Sequence, residues 1–270
     1  MTHVAHVSLT ATMPRNLSLP AANSTGNFYS RIHAQMKNTV ASEGRLTPTA
    51  QQFEEIIERH YPNGSGRLAL DAGCGLNTFN AYTLAAHGFA VEAIDINADI
   101  SQQQIRSDRV HFSTGSVLAI PFPDRHFDLA VCAGVAHHTA DPDKALCEVM
   151  RVTKRGGTAM VALYCSRDSL YEVVIRCIRR VGRVIPYSVT NSLLKGIPSI
   201  NNFVLDSMYV PLLWHYSASE VRALVQAKDA SIVDEEDAPY DFLHRTVRPQ
   251  VLRKALIRDG MYRWFIIRRH

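Results

Sequence analysis

The chain lacks any run approaching the roughly 18–20 uninterrupted apolar residues that cross a bilayer. It also lacks a basic stretch followed by an apolar one near its start, so a soluble, unexported, cytoplasmic protein is expected. Cysteine is sparse and odd in number. Cys74, Cys132, Cys147, Cys165 and Cys177 form no CxxC pair and no cluster with histidine at zinc-ligand spacing. Neither a disulfide framework nor a structural metal is indicated. No internal repeat or low-complexity tract is present. Hydrophobic residues at 46% and charged ones at 20% exclude wholesale disorder and collagen-like or coiled-coil architecture. The 270 residues suffice for one large domain or two small ones.

Net charge is +4, unevenly spread. Residues 245–270 carry eight basic side chains against Asp259 alone, which gives +7 and leaves −3 for the rest. These basic residues alternate with apolar ones and show no arginine–aromatic interleaving, so nucleic acid is not the expected partner.

Residues 1–25 are rich in Ser, Thr, Asn and Pro without periodicity and read as a mobile N-terminus. Two helices follow within 26–62, the second with Thr47 as cap, Pro48 in its first turn and Phe53, Ile56, Ile57 and His60 along one face. Strands and helices then alternate over 63–165. Arg67–Asp71, Phe89–Asp95, Val110–Phe112, Phe127–Cys132 and Thr158–Leu163 read as strands, the last after a Lys154–Gly157 turn. Residues 166–214 break the rhythm as a basic, apolar helical insertion. Within it Arg176, Arg179, Arg180 and Arg183 lie at helical spacing and read by default as a solvated face, with a diphosphate or a lipid surface as alternatives. Residues 215–270 complete the core with a helix from Ser219, a strand near Ser231–Val233, a helix near Val251–Ile257 and a last strand from Tyr262. The pattern predicts an α/β fold: a Rossmann-like doubly wound sheet, mostly parallel, with an antiparallel last strand, N-terminal helices and a helical lid insertion. Ligands in such sheets bind beyond the carboxyl ends of the strands.

The turn Asp71-x-Gly73-x-Gly75 lets backbone approach a ligand closely. Alone it is a weak signal. Asp95 strengthens it, since an acid at the end of the next strand can accept hydrogen bonds from both hydroxyls of a ribose. A dinucleotide fingerprint needs a third glycine, and that position is Thr78. An acid before the glycines also suits a cationic ligand better than a pyrophosphate.

From Leu68 to Leu163 the chain resembles the class I S-adenosylmethionine-dependent methyltransferases, particularly the small-molecule, ubiquinone- and menaquinone-type branch. The resemblance is carried by LDAGCG at Leu70–Gly75, VEAIDI at Val91–Ile96, GSVLAIPFPDRHFDLAVC at Gly115–Cys132, GVAHHTADP at Gly134–Pro142 and EVMRVTKRGG at Glu148–Gly157. It implies S-adenosyl-L-methionine as cofactor and S-adenosyl-L-homocysteine as product. It implies Asp71, Ala72, Gly73, Gly75, Asp95, Ile96, Gly115, Ser116, Val117 and Ala133 as cofactor-binding positions, with Asp71 near the ammonium end, Asp95 at the ribose and Ser116-Val117 flanking the adenine. Tyr29 either closes over the cofactor from an N-terminal lid or, as a helix-face aromatic, belongs to the core. Two departures point to lower cofactor affinity: Ser116 where an acid is common, and Leu76-Asn77-Thr78 where a further glycine is common.

Methyl transfer is an in-line displacement that needs positioning rather than a metal. An acceptor hydroxyl, amine or acidic carbon also needs a base, and His137 and His138 are the catalytic candidates, against a purely scaffolding role for either ring. Tyr164, Tyr209 and Trp214 are the candidate substrate-binding residues. The apolar insertion either roofs a small, greasy acceptor or buries a second copy of the chain. The leading reading is methylation at oxygen, nitrogen or carbon of such a small molecule. RNA or peptide methylation, a non-catalytic cofactor-binding homologue and a nicotinamide-dependent reductase stand as alternatives.

Overall fold

The computed structural model describes residues 28, 48–75, 78–97, 99–100, 107–165, 167, 169–196, 204–205, 207–237 and 262–270. Tyr29, the first N-terminal helix, Thr47 and the helix expected near Val251–Ile257 lie outside the described residues. Helix α1 (Pro48–His60) precedes β1 (Leu68–Ala72), α2 (Phe79–Ala86), β2 (Ala90–Asp95), β3 (Val110–Thr114) and β4 (Phe127–Ala133). Then follow α3 (Pro142–Val152), β5 (Thr153–Tyr164), α4 (Leu170–Gly182), α5 (Tyr187–Leu194), α6 (Ala218–Gln226), β6 (Ala230–Asp237) and β7 (Tyr262–Arg269). The described strands form a seven-stranded sheet in the order β3-β2-β1-β4-β5-β7-β6. All run parallel except β7, which opposes both β5 and β6. The doubly wound sheet with a reversed last strand is the architecture the alternating pattern predicts.

Two cores follow from the two-residue period of a strand. Leu70, Ala130, Ala159 and Phe265 share one cluster with Leu146 and Val149 of α3 and Val221 and Val225 of α6. Their neighbours Ala69, Leu129, Met160 and Trp264 share the other with Phe53 of α1 and Leu84 of α2. Both faces are therefore covered, and the central strands read as nearly continuous apolar runs. Helix starts are set locally. Asp141 accepts the Lys144 N–H ahead of Pro142, and Ser217 and Glu220 form a reciprocal capping box on α6.

Strand β5 begins five residues earlier than its apolar run suggests. Phe127 pairs with Thr153 and Leu129 with Thr158, so β5 advances five residues where β4 advances two. The surplus is a bulge, with Gly156 at φ +73° and a Cβ on Gly157 barred by the Asp128 and Lys154 carbonyls at 2.9 Å. The glycines shape the ladder here rather than ending it.

Part of the basic tail is structural. Arg269 donates to the carbonyls of Met150, Arg151 and Thr153 where α3 ends, Arg268 to that of Gly156, and Arg263 to Asp237 and Glu235. In the insertion Arg179 turns away from solvent and donates to the carbonyls of Ser207, Val210 and Pro211, which corrects the solvated-face reading at that position.

The reversed strand is anchored by aromatic packing. Trp264 of β7 stacks on Phe53 of α1 with ring centroids 5.5 Å apart, and both rings are fully buried. Truncation by Phe53→Ala leaves a cavity at that junction and is expected to cost about 3–5 kcal/mol in urea denaturation. A loss below about 1 kcal/mol would show that α1 is not integral to this core.

Candidate active site at the carboxyl ends of the strands

Strand order reverses between β1 and β4, and the loops leaving those two strands meet there. The β1 loop turns at Gly73, φ +82°, where a Cβ would lie 2.5 Å from the Val135 side chain of the β4 loop. The Gly73 and Cys74 amides both donate to the Ile94 carbonyl, at 2.7 and 3.0 Å. The turn is thus clamped from β2 on one side and from β4 on the other. Gly73 is bare partly because Val135, from the loop after β4, occupies the space, a contact that no local motif reveals.

Asp71 ends β1, fully buried, and neither carboxylate oxygen has a hydrogen-bond partner among the described residues. Burial, reinforced by the charge of Asp95, pushes its carboxyl up to about 7, against a weaker downward pull from the Ala81 amide and the Asn80 side chain. Asp95 ends β2 and is already engaged. Its Oδ2 accepts the Gly75 N–H at 2.9 Å and its Oδ1 the Asn97 N–H at 2.9 Å. Ile96 follows, half exposed and apolar, while Ala72 is buried in the strand. Gly115 sits where a Cβ would meet Ile94 and Pro121 at 3.3 Å. The Ser116 hydroxyl accepts the Leu118 N–H at 3.2 Å, and Val117 is buried beside it. These positions converge on the β1–β2–β3 end of the sheet, and Ala133 ends β4 across the switch point.

An orphaned buried carboxylate, a clamped glycine turn and an acid presented at the next strand end fit a ligand with an ammonium, a ribose and an apolar ring. Asp71 supplies the charge complement and Asp95 the remaining lone pairs. Thr78 stands at φ +52°, a left-handed conformation that a β-branched residue adopts with strain and that glycine adopts freely.

The β4 loop passes through Gly134, φ +75°, into a single turn of 3₁₀-helix at Ala136–His138. His137 and His138 are both buried, with ring centroids 4.2 Å apart. Burial, aided by His138 and His215, holds His137 well below the ordinary imidazole range, and its Nδ1 has no partner among the described residues. The Nδ1–H of His138 donates to the Leu212 carbonyl at 2.9 Å, which leaves that ring's lone pair on Nε2. Tyr164 lies 4.3 Å from His137, ring to ring. The Trp214 amide donates to the His137 carbonyl and its indole to Thr139, while the Tyr209 hydroxyl is bound to Ile185 and Thr190. Tyr164 therefore joins the histidine cluster directly, whereas Trp214 and Tyr209 use their polar groups to hold the lid.

Two residues of this cluster escape sequence reasoning. Tyr262, the first residue of β7, brings its hydroxyl to 3.0 Å from a Cβ placed on Gly134, and its ring to 5.8 Å from Tyr164. It arrives at the site only because β7 is reversed, so its amino end meets the carboxyl ends of the others. His215 stacks on Tyr164 at 6.1 Å and is pushed down to about 4, chiefly by burial. Its place beside Trp214 is the one local signal.

Residues 70–161 match the family model described as Methyltransferase domain. Ajmaline N-methyltransferase of Rauvolfia serpentina is 29% identical over 58% of this chain and 60% of its own length. Malonyl-[acyl-carrier protein] O-methyltransferase of Erwinia billingiae is 36% identical over 44% of this chain and 47% of its own. The chain thus spans about half to three fifths of these relatives. The structure of Burkholderia thailandensis 1,6-didemethyltoxoflavin-N1-methyltransferase, which contains S-adenosylhomocysteine, superimposes with TM-score 0.58 at 16% identity, over 95% of this chain and 93% of that one. None of the three is named for a quinone, so the narrower branch expected from the sequence gains no specific support. Residues 70–161 thus match a methyltransferase domain, and the strand order agrees with the class I S-adenosylmethionine-dependent fold that the sequence resemblance implies.

Proposed function

We propose that the protein transfers a methyl group from S-adenosylmethionine to an oxygen, nitrogen or carbon of a small, largely apolar molecule. The observation that carries this reading is the Asp71 carboxyl, buried without a partner beside the glycine turn and awaiting a cation. The bound cofactor supplies an electrophilic methyl on a sulfonium; everything else is positioning and proton removal by this chain. Asp71 and the Gly73–Gly75 turn hold the amino-acid end, Asp95 the ribose, and Ile96, Ser116 and Val117 the adenine.

His137 is the better candidate for a base. Burial keeps it neutral at pH 7, as a base must be, and its Nδ1 is not committed to any described group. His138 spends its N–H on Leu212 and ties the lid to the β4 loop. Around His137 stand Tyr164 and Tyr262, with His215 stacked on Tyr164, aromatic surfaces without a fixed charge, and this supports an apolar acceptor over a nucleic acid.

The raised pKa of Asp71 gives a signed pH dependence. Its folded value, about 7, lies above the ordinary 3.8, so the folded protein binds a proton that the unfolded chain has lost. Stability falls on that account as pH climbs from about 4 to about 7, by up to about 4 kcal/mol. His137 acts oppositely, adding stability as pH rises toward 6.5, because the unfolded chain must shed its proton. A cationic ligand restores the Asp71 carboxylate, so binding releases that proton. Calorimetry with S-adenosylhomocysteine should show affinity weakening by up to about tenfold per pH unit below 7, with proton release, and no such slope in Asp71→Asn. A flat profile in the parent protein rejects the ammonium assignment.

The histidines separate by kinetics. On a panel of phenols, amines and enolisable carbonyls scored by S-adenosylhomocysteine formation, His137→Ala should lower kcat about 10²–10⁴-fold while leaving cofactor affinity within about threefold. His138→Ala should act mainly on KM through the lid. Equal turnover in both variants argues for scaffolding alone, and no turnover across the panel with cofactor bound argues for a non-catalytic homologue.

A further inference from the structure

A surface helix ordinarily turns its apolar side inward and its charges outward. Helix α4 buries Glu172 and Ile175. On the opposite side, Leu170, Val173, Val174, Val181 and, in the following turn, Val184 share a stripe roughly 100° wide at helical spacing. All five are exposed, Val184 by 80%. Helix α5 adds Val189 and Leu193, the latter 77% exposed. Seven of the nine large hydrophobic residues exposed among the described residues thus fall between Leu170 and Leu193.

The charges around this stripe have one sign. Every exposed charged residue between Ser169 and Gly196 is basic: Arg176, Arg180, Arg183 and Lys195. The single acid, Glu172, is buried and accepts from Arg176 at 2.6 Å. Arg180, Arg183 and Lys195 form no ion pair among the described residues. An exposed apolar stripe with a uniformly cationic border matches an interface-seeking amphipathic helix, whose long basic side chains reach lipid phosphates while the apolar side enters the headgroup boundary. No helix among the described residues is long and apolar enough to cross a membrane, so the contact is one of lying on the surface. A second copy related by a two-fold axis would bring this like-charged border against itself, which is repulsive.

We propose that α4 and α5 dock the protein peripherally on bilayers rich in anionic phospholipid. The proposal does not rest on methyl transfer and adds a location for it. The test is co-sedimentation of the full chain with extruded vesicles of phosphatidylcholine alone or mixed with phosphatidylglycerol. Binding is expected to the mixed vesicles at low salt, with marked weakening in high salt and on phosphatidylcholine alone. Arg180→Gln with Arg183→Gln should reduce partitioning roughly 30-fold, and Val184→Asp with Leu193→Asp should abolish it. Retention of the thermal shift with S-adenosylhomocysteine certifies that each variant is folded. Failure of the parent protein to sediment with mixed vesicles overturns the proposal. So does a dimer in sedimentation velocity that Val184→Asp with Leu193→Asp converts to monomer, because the face then belongs to a second copy.

Discussion

The Asp71 carboxyl is held out of water at the end of β1, with no hydrogen bond among the described residues and a second acid one strand away. A buried ionised group without a partner is strongly disfavoured, and the protein meets that cost partly by letting Asp71 keep its proton near neutral pH. The amides that follow it in the turn are engaged elsewhere, and the Ala81 amide and Asn80 side chain offset its burial only weakly. The nearby amides of Gly73 and Cys74 are both directed to the Ile94 carbonyl, and that of Gly75 to Asp95. An unmet electrostatic demand is thereby kept at one point of the sheet, and on the proposed reading a cationic ligand meets it.

Asp95 carries a double load. Before any sugar is considered, it caps the β1 turn through Gly75 and its own following turn through Asn97. These hydrogen bonds fix the relative position of two strand ends, so the acid that is available to a ribose also sets the shape of the glycine loop. Its proximity in turn raises the pKa of Asp71. The two acids are therefore coupled: the charge of the second reinforces what burial already does to the first.

The sheet was legible in the sequence because β1, β2 and β4 each carry their own signal, a short apolar run closed by an acid or a glycine. Asp71 and Asp95 were visible for the same reason. The bulged start of β5 was not, since Lys154–Gly157 has the composition of a turn and becomes strand only through pairing with β4. Nor was the reason for Gly73, which is the Val135 side chain from a distant loop. Tyr262 was hidden more deeply. Its presence beside Gly134 and Tyr164 follows from the insertion of β7 between β5 and β6 in reversed sense, a fact of topology with no local trace. By contrast Thr78 shows a departure whose meaning was readable: glycine is common there, and the backbone still adopts the left-handed conformation that glycine would accept freely.

The lid and the histidine loop are mechanically one unit. Leu212 accepts from His138, the Trp214 amide donates to the His137 carbonyl, and the Trp214 indole donates to Thr139, so three hydrogen bonds join residues 137–139 to 212–214. Farther along the same segment Arg179 grips the carbonyls of Ser207, Val210 and Pro211 and links it to α4. Arg179 and the 207–214 segment thus connect α4 to the Leu212 carbonyl that fixes the tautomer of His138. On the proposed reading, acceptor selection and base geometry are coupled in such an arrangement. A lid altered to admit a different molecule must keep the Leu212 and Trp214 bonds or reorient the histidines with it, and the glycine turn, held through Ile94 and Asp95, meets that loop at Val135.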